Sequence, residues 1–220
     1  TNNVSGKRMS DVDLYVLTSG QTFSAAEEFT YNLKNLERAT IVGETTGGGA
    51  HPVSRIGFPS LSFGMSVPIG RAINPITGTN WEGTGIEPHI ACAVDQALPT
   101  ARIEALKNLR DKATDEEDKQ SLAWQFEWLQ ALTEPVRLPE ATMQAYVGSY
   151  GPRKIMLEDG KLYYQREDRP KFLMISMNED TFCFEDIEYF RLKVITGDNG
   201  AVIAVEGHYD NGHVDRNARE

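Results

Sequence analysis

Cysteine is scarce in this chain: 220 residues contain only Cys92 and Cys183. A pair so far apart makes no disulfide framework. No C-x-x-C or H-E-x-x-H is present, so no metal site is implied, and the two read as buried thiols. Positive charge is also short. Lys and Arg number 22 against 32 Asp and Glu, a net charge of −10, with the acids spread along the sequence. Nucleic acid needs a basic footprint, so that partner class is disfavoured, as is an anionic membrane surface. Long-range steering would mildly favour neutral or cationic peptides. No apolar run is long enough to span a bilayer. The glycine-rich stretch has no lysine after it and no G-x-x-x-x-G-K-[ST] pattern, which argues against a phosphate cradle.

What is present begins with Leu14-Tyr15-Val16-Leu17, an unbroken apolar run expected of a strand covered on both faces. A turn follows, then a helical pattern in which Ala25, Phe29, Leu33 and Leu36 would form one buried face. Thr40-Ile41-Val42 is the next apolar run, and Gly43-Glu44-Thr45-Thr46-Gly47-Gly48-Gly49 follows it directly. The order predicts a βαβ unit with parallel strands. Its two loops would leave from the strands' carboxyl ends, where α/β sheets place ligands.

Ser24 falls where the turn becomes the helix. There it would sit beside unpaired N–H groups at the positive end of the helix dipole. Such groups can hold an oxyanion, so the position suits a nucleophile. The plainer reading is a capping box, Ser24-x-x-Glu27, with Glu27 and Glu28 serving the helix start. Glu44 reads as a loop-fixing carboxylate. Glu82, between Gly78 and Gly83, reads by itself as a solvated loop residue. Gly47, Gly48 and Gly49 lack a Cβ, so backbone there can approach a second chain and accept a peptide as an added strand.

The stretch TFSAAEEFTYNLKNLERATIVGETTGGGAHP resembles the carboxy-terminal-processing (tail-specific) serine peptidases. The nearest likeness is to the branch holding tricorn-type core peptidases and the repeats of interphotoreceptor retinoid-binding protein. It covers roughly residues 10 to 95. The resemblance implies a crotonase-like α/β core with Ser24 as nucleophile and the N–H of Ala25 as one oxyanion donor. A second donor would lie upstream of Thr1. It also implies a peptide or protein substrate, no cofactor, and an extracytoplasmic (periplasmic or secreted) bacterial setting. Many members use a lysine base at the position held here by Gly49, and glycine cannot accept a proton. The tricorn-type branch uses a histidine instead, placed upstream, with a downstream glutamate. Glu82 stands where that glutamate would be, orienting the base. His51 is the one local candidate for a base. The loop setting favours a structural role for it. His89 would pack at a strand entrance, and His208 and His213 at the surface.

On this reading the sequence is a C-terminal piece of a longer polypeptide, any leader lying upstream, and the 220 residues alone would have little activity. Residues 1–95 would be the later part of the catalytic core. Residues 96–140 would be a helical connector, with Leu122, Phe126 and Leu129 on one face and Trp124 and Trp128 on the next as packing residues. Residues 141–220 would form a small antiparallel β-domain, open or closed into a barrel. Its strands would be 154–158, 162–165, 172–176, 181–184, 190–195 and 202–207, with hairpin turns at Asp159-Gly160, Asp198-Asn199-Gly200 and Asp210-Asn211-Gly212. The run from Tyr146 to Tyr164 resembles β-domains appended to secreted bacterial peptidases and penicillin-binding-protein relatives. Two rivals to the peptidase remain. One is a non-catalytic module binding apolar ligands or peptides, in the manner of the retinoid-binding repeats. The other is a crotonase-type acyl-CoA enzyme, which the glycine loop disfavours. Oligomeric state, a homo-oligomer included, is left open by the sequence.

Overall fold

A computed structural model describes residues 5–220. The chain divides into two compact units, residues 1–105 and 106–220, the division falling within helix α2 (Ala97–Lys112). Among the described residues no helix is long and apolar enough to cross a membrane.

The first unit contains the predicted βαβ order. Strand β1 (Tyr15–Thr18) leads through a turn to α1 (Ala25–Asn35), then β2 (Thr40–Gly43). β2 pairs in parallel with β1 on one side and with β5 (Ile90–Ala91) on the other. Parallel pairing brings the loops after β1, β2 and β5 to one end of the sheet. Gly43 closes β2 against β1. Its φ is +130°, and a Cβ there would stand 2.1 Å from the Thr18 carbonyl oxygen, so only glycine fits. An antiparallel hairpin, β3 (Val53–Phe58) with β4 (Phe63–Pro68), stands apart from this sheet.

Two expectations about burial are corrected. β1 is only partly covered, with Leu17 exposed. On α1 the anticipated apolar face is turned outward: Phe29 is 58% and Leu36 64% accessible, and Ala25 is exposed. The fully buried residues of that helix are Glu27 and Thr30. The physical reason lies in hydrogen bonding. Glu27 meets a set of loop N–H groups that no apolar side chain could satisfy, and Thr30 returns its hydroxyl to the Ala26 carbonyl at 2.8 Å.

The second unit holds α3 (Glu116–Thr133), α4 (Glu140–Tyr146) and nine strands in two antiparallel sheets. One sheet runs β6 (Gly148–Tyr150), β7 (Arg153–Glu158), β8 (Lys161–Arg166), β9 (Phe172–Leu173). The other runs β10 (Ile175–Ser176), β11 (Thr181–Phe184), β12 (Ile187–Thr196), β13 (Val202–Tyr209), β14 (Val214–Ala218). They share one core, in which Tyr150, Ile155 and Tyr164 face Phe182, Phe184 and Leu192. The anticipated strand at 172–176 is split at buried Met174, where the chain passes from one sheet to the other. At the opposite edges the Glu220 N–H donates to Ser149 O at 3.0 Å, so the two sheets nearly close. Asp159 (φ 49°) and Gly160 (φ 73°) give the β7–β8 turn two left-handed residues, the geometry that fits the twist of a tight hairpin. α3 is fixed by its tryptophans: Trp128 Nε1 donates to Phe184 O at 2.8 Å and Trp124 Nε1 to Glu188 O at 2.7 Å. The Cys183 thiol is buried there, which pushes its pKa up to about 11 and leaves it a packing residue. Cys92 is half-buried rather than buried.

Candidate active site

The turn between β1 and α1 is strained at one residue. Ser24 has φ 57° and ψ −119°, backbone values that side-chain-bearing residues rarely adopt. Holding a non-glycine residue there costs on the order of 1–3 kcal/mol, offset by surrounding contacts. The residue is exposed. Its strained turn points it away from the packed interior at the start of an eleven-residue helix. Ala25, the first residue of that helix, is also exposed, and among the described residues its N–H has no acceptor.

What holds the turn is Glu27. One carboxylate oxygen accepts the Ser24 N–H at 2.8 Å and the Gly49 N–H at 2.9 Å. The other accepts the Gly48 N–H at 2.7 Å and the Thr46 hydroxyl. Thr46 Oγ1 in turn accepts the Ile86 N–H at 2.8 Å. A single buried carboxylate therefore ties the turn at Ser24 to the glycine loop, and through Thr46 to the segment after Glu82. Burial by itself would raise the Glu27 pKa. The Thr46 hydroxyl and the Gly49, Gly48 and Ser24 N–H groups outweigh it, and the net shift is downward. The sequence reading gave Glu27 only a cap's role. It does accept the N-cap N–H, but three of its four bonds go elsewhere.

Two further carboxylates act on the neighbouring loops. Glu44 accepts the Gly20 N–H at 3.0 Å and the Val94 N–H at 3.3 Å. Glu82 accepts the Ala50 N–H at 2.6 Å and the His51 N–H at 2.9 Å, and its Oε2 lies 3.8 Å from His51 Nδ1. Those N–H groups, with the charge His51 carries when protonated, hold the Glu82 carboxyl below its ordinary value, although the side chain is largely exposed. Trp81, buried against Tyr31 with ring centroids 5.2 Å apart, fixes the backbone that presents Glu82.

The glycine loop is occupied differently from expectation. The N–H groups of Gly48 and Gly49 are already taken by Glu27, so they are not free to donate to an oxyanion or a peptide strand. The absence of Cβ atoms serves an intramolecular contact: a Cβ on Gly49 would stand 2.1 Å from Phe23 Cζ, and one on Gly47 would stand 2.8 Å from Phe23 Cδ2. Gly48 (φ +86°) accepts the Gly83 N–H on its carbonyl oxygen at 2.9 Å. The ring of Phe23, 57% accessible, thus lies across the loop beside Ser24.

His51 sits with Glu82 through both its backbone and its ring, and among the described residues no basic side chain hydrogen-bonds to the Ser24 hydroxyl. His89 is structural, its Nδ1 accepting the Ile41 N–H at 2.9 Å beside β5. His208 pairs with Glu206 at 3.2 Å, and His213 is exposed against the Tyr209 ring.

Residues 1–92 match the family model of peptidase family S41. A solved structure of a photosystem II D1 C-terminal processing protease is similar at 28% identity, over 39% of this chain and 22% of that one, with a TM-score of 0.34. The chain thus matches under a quarter of that protease's length.

Proposed function

We propose that the chain carries the nucleophile of a serine-type peptidase, Ser24, on a crotonase-like core, a reading supported by the match of residues 1–92 to the family model of peptidase family S41. The single observation supporting it most is the exposed serine in a strained turn, at a helix start with an unengaged N–H at Ala25. Strain is kept where function needs a side chain that glycine cannot supply. The chemistry is acyl transfer. The Ser24 oxygen attacks a peptide carbonyl while its proton passes to a base, and the Ala25 N–H stabilises the oxyanion. The proton then leaves on the amine, and water releases the acyl group from Ser24. Among the described residues no side chain is placed as the base, so the 220-residue chain alone is expected to turn over little peptide. Glu82 serves as a positioning carboxylate for the Ala50–His51 turn and the base network. Gly48 and Gly49 shape the substrate side of the site through their backbone path. The tail-specific preference and the extracytoplasmic setting implied by the resemblance belong to the same reading.

A fluorophosphonate probe tests it. The full polypeptide containing this chain should be labelled on Ser24, and labelling should vanish in the Ser24→Ala form. Equal labelling of both forms, or none of either, would favour a non-catalytic module binding peptides or apolar ligands. His51 gives a second check. Its ring leans on Glu82 and not on Ser24, so His51→Ala should change kcat/KM by less than about tenfold. Loss of a general base costs about 10²-fold or more, and a drop of that size would place the base in the 50–51 turn instead.

A further inference from the structure

In the second unit a cavity of about 270 Å³ opens between the two sheets, lined by no residue discussed so far as catalytic. Its floor is aromatic. Tyr164, Phe190 and Tyr209 lie in sequence across it, with centroids 5.8 Å apart for the first pair and 5.2 Å for the second, and Phe172 and Ile187 line it as well. Tyr164 and Phe190 are buried, and Phe190 is backed by the stacked ring of Phe184. From the far side the Phe190 ring is held by Arg153, a fully buried guanidinium 5.5 Å from its centroid. Arg153 is fixed in turn by two hydrogen bonds from Nη2 to Asp215, at 2.7 and 2.9 Å, and one from Nη1 to Asn217 at 3.0 Å. The Phe190 ring at the centre of the floor is therefore held in place, packed between the Phe184 ring and a guanidinium fixed by Asp215 and Asn217.

The mouth has a different character. Arg166 and Arg169 stand on it, and among the described residues neither guanidinium is paired with a carboxylate. Asp186 is the one acid in the lining, which leaves the mouth one positive charge in excess, on a chain whose net charge is −10. Two free guanidinium groups above stacked rings match a ligand with a flat apolar body and an anionic end. Arginine receives a carboxylate through a planar fork, and the rings receive an aromatic group by offset or edge contact. The volume lies just under the range of about 300–1,000 Å³ for drug-sized ligands, so the occupant is one ring and a short stem.

We propose that this cavity is a binding site for a single-ring aromatic carboxylate, with the ring against Tyr164, Phe190 and Tyr209 and the carboxylate between Arg166 and Arg169. The proposal does not depend on Ser24 being a nucleophile. The test is an NMR titration of the 220-residue chain with 3-phenylpropanoate, its amide and 3-phenylpropylamine. The carboxylate should shift the amide signals of residues 164, 172, 187 and 190 and bind at least tenfold more tightly than the amide, with the amine weakest. In a chain carrying Arg166→Gln and Arg169→Gln, at a half-buried and an exposed position, the carboxylate should lose that advantage over the amide. Ile187→Trp, which fills the opening, should abolish binding of all three. Equal affinity for the three compounds, shifts mapping elsewhere, or no shift at millimolar ligand would each overturn the proposal, and each can be read on the unaltered chain.

Discussion

On the proposed acyl-transfer reading, replacing Ser24 by alanine is expected to lower peptide hydrolysis on the order of 10⁴-fold or more, the scale seen when a serine peptidase loses its nucleophile. The same change should leave the fold intact, because residue 24 is exposed. Ser24→Gly separates the two roles of the position further. Glycine adopts φ 57°, ψ −119° without penalty, so this variant should be equally inactive yet gain about 1 kcal/mol of stability. Kinetics with a peptide substrate and urea unfolding, run on both variants, check the pair of outcomes. A Ser24→Gly protein that is less stable than Ser24→Ala would mean that the turn carries no strain. A Ser24→Ala protein with undiminished turnover would remove Ser24 from the chemistry.

The second large effect is expected at Glu27. Glu27→Ala strands the N–H groups of Ser24, Gly48 and Gly49 and the Thr46 hydroxyl without their acceptor. Leaving buried donors unmet costs about 1–3 kcal/mol each, although relaxation of an exposed loop recovers part, so about 3 kcal/mol or more is expected for the whole. Amide exchange at residues 24, 48 and 49 reads it locally, and protection there should fall to that of a free loop. Glu27→Gln keeps the shape and removes the charge, which gives the effect a pH signature. The carboxyl's pKa is depressed on folding, so its contribution is fully present above the unfolded value of about 4.3 and fades as pH falls through the lower folded value. The stability gap between the natural chain and Glu27→Gln should therefore be widest near neutral pH and shrink below about pH 4. A gap that stays constant down to pH 3 would show that shape alone, and not the ionised carboxylate, holds the loops.

The elements were legible where local chemistry is strong. The strands at 15–18 and 40–43, the helix from Ala25 and the Asp159-Gly160 hairpin each announce themselves through short apolar runs, a capping pattern or turn residues. What faces what was harder to see. On α1 the periodicity of Phe29, Leu33 and Leu36 pointed to a buried side, while the buried side is set by a carboxylate whose partners lie 19 to 22 residues away. In sequence such a glutamate is indistinguishable from a cap residue, because the donors that need it are backbone groups with no residue signature. β14 was missed for a similar reason. Its inward residues, Asp215 and Asn217, are polar because they serve the buried Arg153, so the strand shows no hydrophobic alternation. The only available signal there was the period-two spacing of those polar residues opposite Arg153.

The ring of Phe23 across Gly47 and Gly49 bears on how this site could change over evolutionary time. A lysine introduced at position 49 would meet that ring at its first side-chain atom, so the ring would have to turn off the loop to admit it. A smaller residue at position 23 would remove that cost by uncovering the loop. The two positions are thus epistatic: phenylalanine at the first raises the cost of any side chain at the second.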